Sequence, residues 1–151
     1  MKNHIKIPII LILALVLVLS ACGTDPCRFN IDKHEILTGI DVPKTVGGAC
    51  IPNEDGGFKL SVWELDTLNL QESSVYGSVE GFKDHFKFKK LAGSFHPEKI
   101  TLLPEKYQES VREDELFFRS GERGGKRWIM ILSVSSAMLL GEIIDLKEEE
   151  D

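Results

Sequence analysis

The chain has 151 residues, with 24 Asp and Glu against 18 Lys and Arg, and a formal net charge of −6. This length suits one domain with a modest core. The negative charge argues against nucleic acid as a partner and against a domain that lies flat on anionic lipid.

The N-terminus has the pattern of an export signal. Lys2 and Lys6 are positively charged, and Ile7–Leu19 is an apolar run of 13 residues. A helix of that length is too short to span a bilayer, but it matches the apolar region of a signal peptide. Two small residues follow, as cleavage requires, and then a cysteine, in the order Leu19-Ser20-Ala21-Cys22.

Those four residues resemble the lipobox of bacterial lipoproteins. The resemblance implies that residues 1–21 are a cleaved signal peptide and that Cys22 is acylated, so that acyl chains anchor the protein to a membrane. Gly23, rather than Asp, at the next position implies sorting to the outer membrane, facing the periplasm. A Gram-positive host would instead place the same anchor on the outer face of its cell membrane.

We predict that residues 22–26 form a short polar tether and that residues 27–146 form a single domain. Cys27 and Cys50 remain once Cys22 is acylated, and a pair of cysteines in an oxidising, exported compartment predicts a disulfide. The alternative is a metal pair. It fits less well, because the two cysteines stand 23 residues apart, without the close spacing that zinc ligands show.

Most of the domain has the composition and patterning of β-strands. Lys126–Val134 includes a stretch that is apolar on both faces, Trp128–Leu132, which predicts a central strand covered on both sides. Glu115–Arg119 and Lys126–Val134 flank the glycine-rich residues Ser120–Gly125, an arrangement that predicts a hairpin. The other predicted strands are Phe58–Leu65, Val75–Phe82, Phe86–Lys89, Ile100–Leu103 and Met138–Leu146, the last with a bulge or bend at Gly141.

One short helix is predicted near 104–113, because Pro104 suits a first helical position and apolar residues then recur every four residues. About seven strands and one helix predict a mostly β, α+β domain with an antiparallel sheet, arranged as a small barrel, a sandwich or an open sheet. Ala137–Ile144 could also be helical, since short apolar runs are ambiguous. Residues 147–151 form an acidic tail.

No catalytic motif stands out in the sequence, which lacks the signatures of nucleophile elbows, zinc proteases, P-loops and dinucleotide-binding turns. His85 and His96 could meet across neighbouring strands, but no third ligand accompanies them. The sequence therefore predicts a protein that is not an enzyme, with no metal site and no cofactor.

One basic stripe stands out in this acidic chain. Lys83, Lys87 and Lys89 fall on one side of an alternating segment and phenylalanines on the other. More positive charge surrounds the predicted hairpin, at Arg119, Arg123, Lys126 and Arg127. If the two regions meet, Lys83, Lys87, Lys89, Arg123 and Arg127 would form a patch for an anionic partner. The alternative is a solvated strand face whose lysines discourage edge pairing.

Three functions follow from these features. The first is an anchored envelope lipoprotein whose domain binds an envelope protein or another anionic envelope component without catalysis. The second is a carrier that holds a lipid or small apolar molecule inside the sheet. The third is a small hydrolase of envelope polymers, which would need a cleft with converging carboxylates or histidine.

Overall fold

The computed structural model describes residues 30–52, 58–93 and 97–146. Six strands form one antiparallel sheet in the order β1-β2-β6-β5-β4-β3, and the sheet does not close on itself. The long β4–β5 hairpin and β6 occupy its middle, whereas β1 and β3 are its edges. The strands are β1 Thr45–Pro52, β2 Phe58–Leu65, β3 Lys89–Lys90, β4 Leu116–Arg123, β5 Lys126–Ser133 and β6 Met138–Asp145.

Short helices cover both faces of the sheet. Along β5, Trp128 and Met130 belong to one apolar cluster and Ile131 to another, as expected where successive side chains point to opposite faces. The helices are α1 Asn30–Thr38, α2 Thr67–Glu72, α3 Val79–His85, α4 Pro97–Ile100 and α5 Glu105–Glu113. The first three pack on one face and the last two on the other.

The prediction of a mostly β, α+β domain with an antiparallel sheet is confirmed, with six strands rather than about seven and an open sheet rather than a barrel or sandwich. The strand at Phe58–Leu65, the hairpin and the helix near 104–113 are confirmed as well. The strand from Met138 is also present, but no bulge interrupts it, because its pairing with β5 is continuous through Gly141.

Three predicted strands are wrong. Most of Val75–Phe82 is a turn and the start of α3, where the Ser78 hydroxyl caps the helix by accepting from the backbone N–H of Gly81 at 2.9 Å. Phe86–Lys89 is mainly the turn after α3, and only its last residue belongs to β3. Ile100–Leu103 is the end of α4 and the turn that follows it. Short apolar runs mislead because burial alone does not distinguish a strand from one turn of helix.

Helix α1 and strand β1 have no counterpart among the predicted elements. The buried residues of α1 are Asn30, His34 and Thr38, which recur at helical spacing but are polar, so they give no apolar periodicity. Strand β1 carries two glycines in its centre, a composition that weakens any strand signal. The signal peptide, the tether at 22–26 and the acidic tail at 147–151 lie outside the described residues.

Candidate functional site

The strongest candidate site is a basic cleft of about 310 Å³ between the turn after α3 and strand β4. Its lining contains three cationic side chains, a hydroxyl and an aromatic ring. We call this site the basic cleft, and it is lined by Lys87, Lys89, Phe118, Arg119 and Ser120.

The cleft exists because β3 is only two residues long. Lys89 pairs with Phe118, but the chain before it turns away into α3, so β3 does not continue alongside Arg119 and Ser120. The guanidinium of Arg119 crosses this gap and donates from Nη1 to the carbonyl oxygen of Phe86 at 2.8 Å. One edge of the sheet is thus left open, with an oriented arginine next to it.

The cations of the cleft have no acidic partners within the described residues. Lys87 and Lys89 are exposed, and no described carboxylate pairs with either lysine or with Arg119. The acidic residues that flank the region in the chain, Asp84 and Glu115, pair with other lysines, at Lys83 and Lys90. The positive charge of the cleft is therefore uncompensated by described residues and available to an anion.

The structure brings together only part of the predicted basic patch. Lys83 lies in α3, not in a strand, and its ammonium sits 4.8 Å from the centre of the Phe117 ring. Arg123 donates to the carbonyl oxygen of Ile36 at 2.8 Å, and Arg127 pairs with Glu122. Lys83, Arg123 and Arg127 are thus engaged elsewhere and do not line the cleft.

The alternation of burial in this region is confirmed for four residues. Phe86 and Phe88 are buried, whereas Lys87 and Lys89 are exposed. Arg119 is the cationic member of the site that the predicted patch left out. Pairing the segment that ends at Lys89 with the first strand of the hairpin would have indicated it, because that register brings the turn after α3 next to Arg119.

A second cleft, of about 440 Å³, lies between α5 and the end of β2. Within it, Glu64 Oε1 accepts from Lys106 Nζ at 2.6 Å and from the Tyr107 hydroxyl at 2.8 Å. These hydrogen bonds lower the pKa of Glu64, which keeps its carboxylate ionised. Because the acid and the base neutralise each other, this cleft offers much less net charge to a ligand than the basic cleft.

The one described histidine that is fully buried, His34, serves the packing of α1. Its Nδ1 lies 2.7 Å from the carbonyl oxygen of Asn30, and its ring packs edge-on against Trp63 at 4.9 Å. Trp63 Nε1 in turn donates to Asn30 Oδ1 at 3.1 Å. Gly141 leaves room for the imidazole, since a β-carbon there would lie 2.6 Å from His34 Cδ2. Burial lowers the pKa of His34, so the ring is held neutral.

Cys50, in β1, is disulfide-bonded. Cys22 and Cys27 both lie outside the described residues, so the predicted pairing with Cys27 stays a prediction. Two contacts favour it: Cys50 pairs across the sheet with Ser61, and the start of α1, three residues after Cys27, bonds to Trp63 in the same strand.

Within the described ranges, no group of three His, Cys, Asp or Glu side chains is placed to hold a metal ion. His96, one of the two histidines considered above, lies outside those ranges. None of the described helices combines the length and the apolar character that crossing a membrane requires.

Comparison with known proteins adds no relative to this picture. No protein-family model matches the chain, and neither the curated proteins nor the solved structures contain a match.

Proposed function

We propose that this chain is an envelope lipoprotein, anchored by acyl chains on Cys22, whose domain binds an anionic envelope component without catalysis. The observation that carries the binding role is the basic cleft, in which Lys87, Lys89 and Arg119 have no described acidic partner. An uncompensated positive cleft favours association with anions.

Two alternatives have less support. A carrier would need an interior cavity. Instead, the apolar side chains of the sheet and of the helices pack against one another in two clusters, one on each face of the sheet. A hydrolase would need carboxylates or histidine converging on a cleft. The described residues that line the basic cleft include neither, and the second cleft has one carboxylate, Glu64, whose Oε1 accepts from Lys106 and Tyr107.

The anchor is tested by replacing Cys22 with Ser and labelling cells with a fatty-acid analogue. We expect the label to be lost, because only the thiol accepts the acyl group in the family that this segment resembles. Undiminished labelling of the Ser variant would overturn the lipoprotein assignment and leave the binding role to be judged separately.

The binding role is tested with a charge-reversed variant, Lys87→Glu with Lys89→Glu. We expect it to lose retention on a dextran sulfate column, whereas retention of the wild type should fall steeply as salt rises from about 0.05 to 0.3 M. The matched control reverses Lys44 and Lys106, two exposed lysines outside the cleft, and so changes the net charge equally.

The control decides between two interpretations of a loss. If both variants lose retention equally while remaining folded by circular dichroism, the effect follows net charge and the cleft is not a site. If the cleft variant is retained like the wild type, the lysines only keep the sheet edge solvated.

A further inference from the structure

The turn that forms one wall of the basic cleft has an unusual residue at its critical position. After α3 the backbone N–H of Lys87 bonds to the Asp84 carbonyl at 3.2 Å, and that of Phe88 bonds to the Lys83 carbonyl at 3.0 Å. This pair of bonds is the Schellman arrangement, which places the residue after the helix cap in the left-handed conformation. That residue is Lys87, with φ of 56°.

Glycine is the usual residue at such a position, because a β-carbon disfavours the left-handed conformation. The same chain follows that rule at the end of α1, where Gly39 has φ of 66°. Lys87 thus stands where the backbone alone would favour glycine. Among the described residues other than glycine, only Ala137 shares a positive φ with Lys87, and such residues cluster at functional sites.

The same turn also orients the arginine of the cleft. The carbonyl that receives Arg119 Nη1 belongs to Phe86, the residue directly before Lys87. One short turn therefore holds the guanidinium through its backbone and contributes an ammonium through its side chain, while Lys89 adds a second ammonium from β3. The turn after α3 thus positions Lys87 and Arg119, and Lys89 follows the turn at the start of β3.

This cation set suits a phosphate group better than a carboxylate. A guanidinium can donate two parallel hydrogen bonds to a carboxylate or to a phosphate, and lysines bind either as point charges, so the number of positive charges is what favours phosphate. Three positive charges without a described acidic partner match a dianion more closely than a monoanion. The hydroxyl of Ser120, which also lines the cleft, offers a neutral donor for a further oxygen.

We propose that the basic cleft is a phosphate-binding site in which Lys87 and Arg119, both positioned by the turn after α3, and Lys89 contact the phosphate oxygens. This inference rests on the proposed binding function and narrows it from anions in general to phosphate. The phosphate belongs either to a soluble or polymer-borne ester or to a lipid headgroup, and the two sources present the same chemistry to the cleft.

The test is a titration of the ¹⁵N-labelled, full-length mature protein in detergent, followed by NMR. Inorganic phosphate and glycerol 3-phosphate should shift the amide signals of the cleft residues and bind at least about tenfold more tightly than acetate. Lys87→Gly should weaken phosphate binding at least about tenfold while the protein stays folded, and Lys87→Arg should restore most of the affinity.

Vesicles distinguish the two sources of phosphate. Stronger binding to phosphatidylcholine vesicles that contain phosphatidic acid than to glycerol 3-phosphate identifies a lipid headgroup. Equal binding to plain and phosphatidic acid vesicles, together with binding of glycerol 3-phosphate, identifies a soluble or polymer-borne ester.

Three outcomes contradict the inference, and they differ in what they leave standing. If acetate binds the cleft as tightly as phosphate, the preference for phosphate is wrong but a general anion site remains. If Lys87→Gly binds phosphate like the wild type, the contact assigned to Lys87 is wrong. If no anion shifts the cleft signals and the protein is not retained on dextran sulfate through the cleft, the proposed binding function is wrong as well.

Discussion

Helices α1 and α3 pack on the same face of the sheet and end in the same left-handed backbone conformation, yet they end with different residues. Gly39 follows α1, and Lys87 follows α3. A β-carbon at Gly39 would meet nothing within 4 Å, so glycine stands there for its backbone freedom alone. At Lys87 a long cationic side chain occupies an equally left-handed position beside the basic cleft.

The surroundings of the two helices differ in the same way. The buried polar residues of α1 include Asn30 and His34, which bond to each other and contact Trp63 of β2. Lys87 and Lys89, which follow α3, are exposed to solvent and have no acidic partner among the described residues. The comparison teaches that burial and pairing separate the polar residues that hold α1 against the sheet from the charged residues that stay unpaired within the described part of the surface.

The largest expected change in stability comes from removing the disulfide of Cys50, which we predict to hold the segment before α1. Replacing Cys50 with Ser should reduce the free energy of unfolding by about 3 kcal/mol, because its disulfide, which we predict to join Cys27, would no longer restrict the unfolded chain. Thermal unfolding with and without reductant measures it. The control is Cys27→Ser: the same loss supports the predicted pairing, whereas a variant of Cys27 with wild-type stability would contradict it.

The next largest change in stability is expected at the contact between α1 and β6, where His34 lies against Gly141. Gly141→Ala should destabilise the protein by about 1–3 kcal/mol, because the new β-carbon would overlap the ring of His34. Denaturant unfolding is the measurement. In a His34→Ala background the same substitution should cost less, since the overlap with the imidazole is removed and only the contact with Trp63 Cη2, at 2.9 Å, remains. Equal losses in both backgrounds would show that the imidazole is not what Gly141 accommodates.

Exchanging the two helix-end residues tests the comparison directly. Gly39→Lys should destabilise the protein by about 1 kcal/mol, because lysine must adopt the left-handed conformation there. Lys87→Gly should change stability in the opposite direction, by about 1 kcal/mol or less, since relief of the backbone is partly offset by a more flexible unfolded chain. Urea unfolding curves of both variants decide the matter. A loss of stability in Lys87→Gly would mean that the lysine supports the fold.

The smallest expected effect is a pH dependence that comes from α1. Burial lowers the pKa of His34, although the backbone of Asn30 and of Gly141 opposes this shift. In the unfolded chain the pKa is about 6.5, so below that pH the unfolded state binds more protons than the folded state. The stability from this group is therefore complete above about pH 6.5 and is lost as the pH falls toward the lower folded pKa.

Urea unfolding of the wild type and of His34→Gln at several pH values between about 5 and 8 isolates the histidine. The stability difference between the two proteins should shrink as the pH falls. A constant difference over this range would show that His34 does not titrate differently in the two states.

Local patterns in the sequence were sufficient for some of this protein. The hairpin at β4–β5 and helix α5 were predicted because their signals, a glycine-rich turn and apolar residues at spacing four, lie within a few neighbouring residues. The lipoprotein prediction rests on sequence alone, since the signal from Lys2 to Cys22 is a linear pattern. The exposure of Lys87 and Lys89 beside buried phenylalanines was also predicted from alternation.

Tertiary structure decided the rest, because the deciding contacts join residues far apart in the chain. Helix α1 is held by polar side chains whose partner, Trp63, lies 33 residues from Asn30, so no local apolar pattern marks it. Arg119 joins the basic cleft only because the turn after α3 supplies the carbonyl of Phe86, 33 residues away. The sequence by itself determined which residues are charged, whereas pairing and burial determined which of those charges are left for a partner.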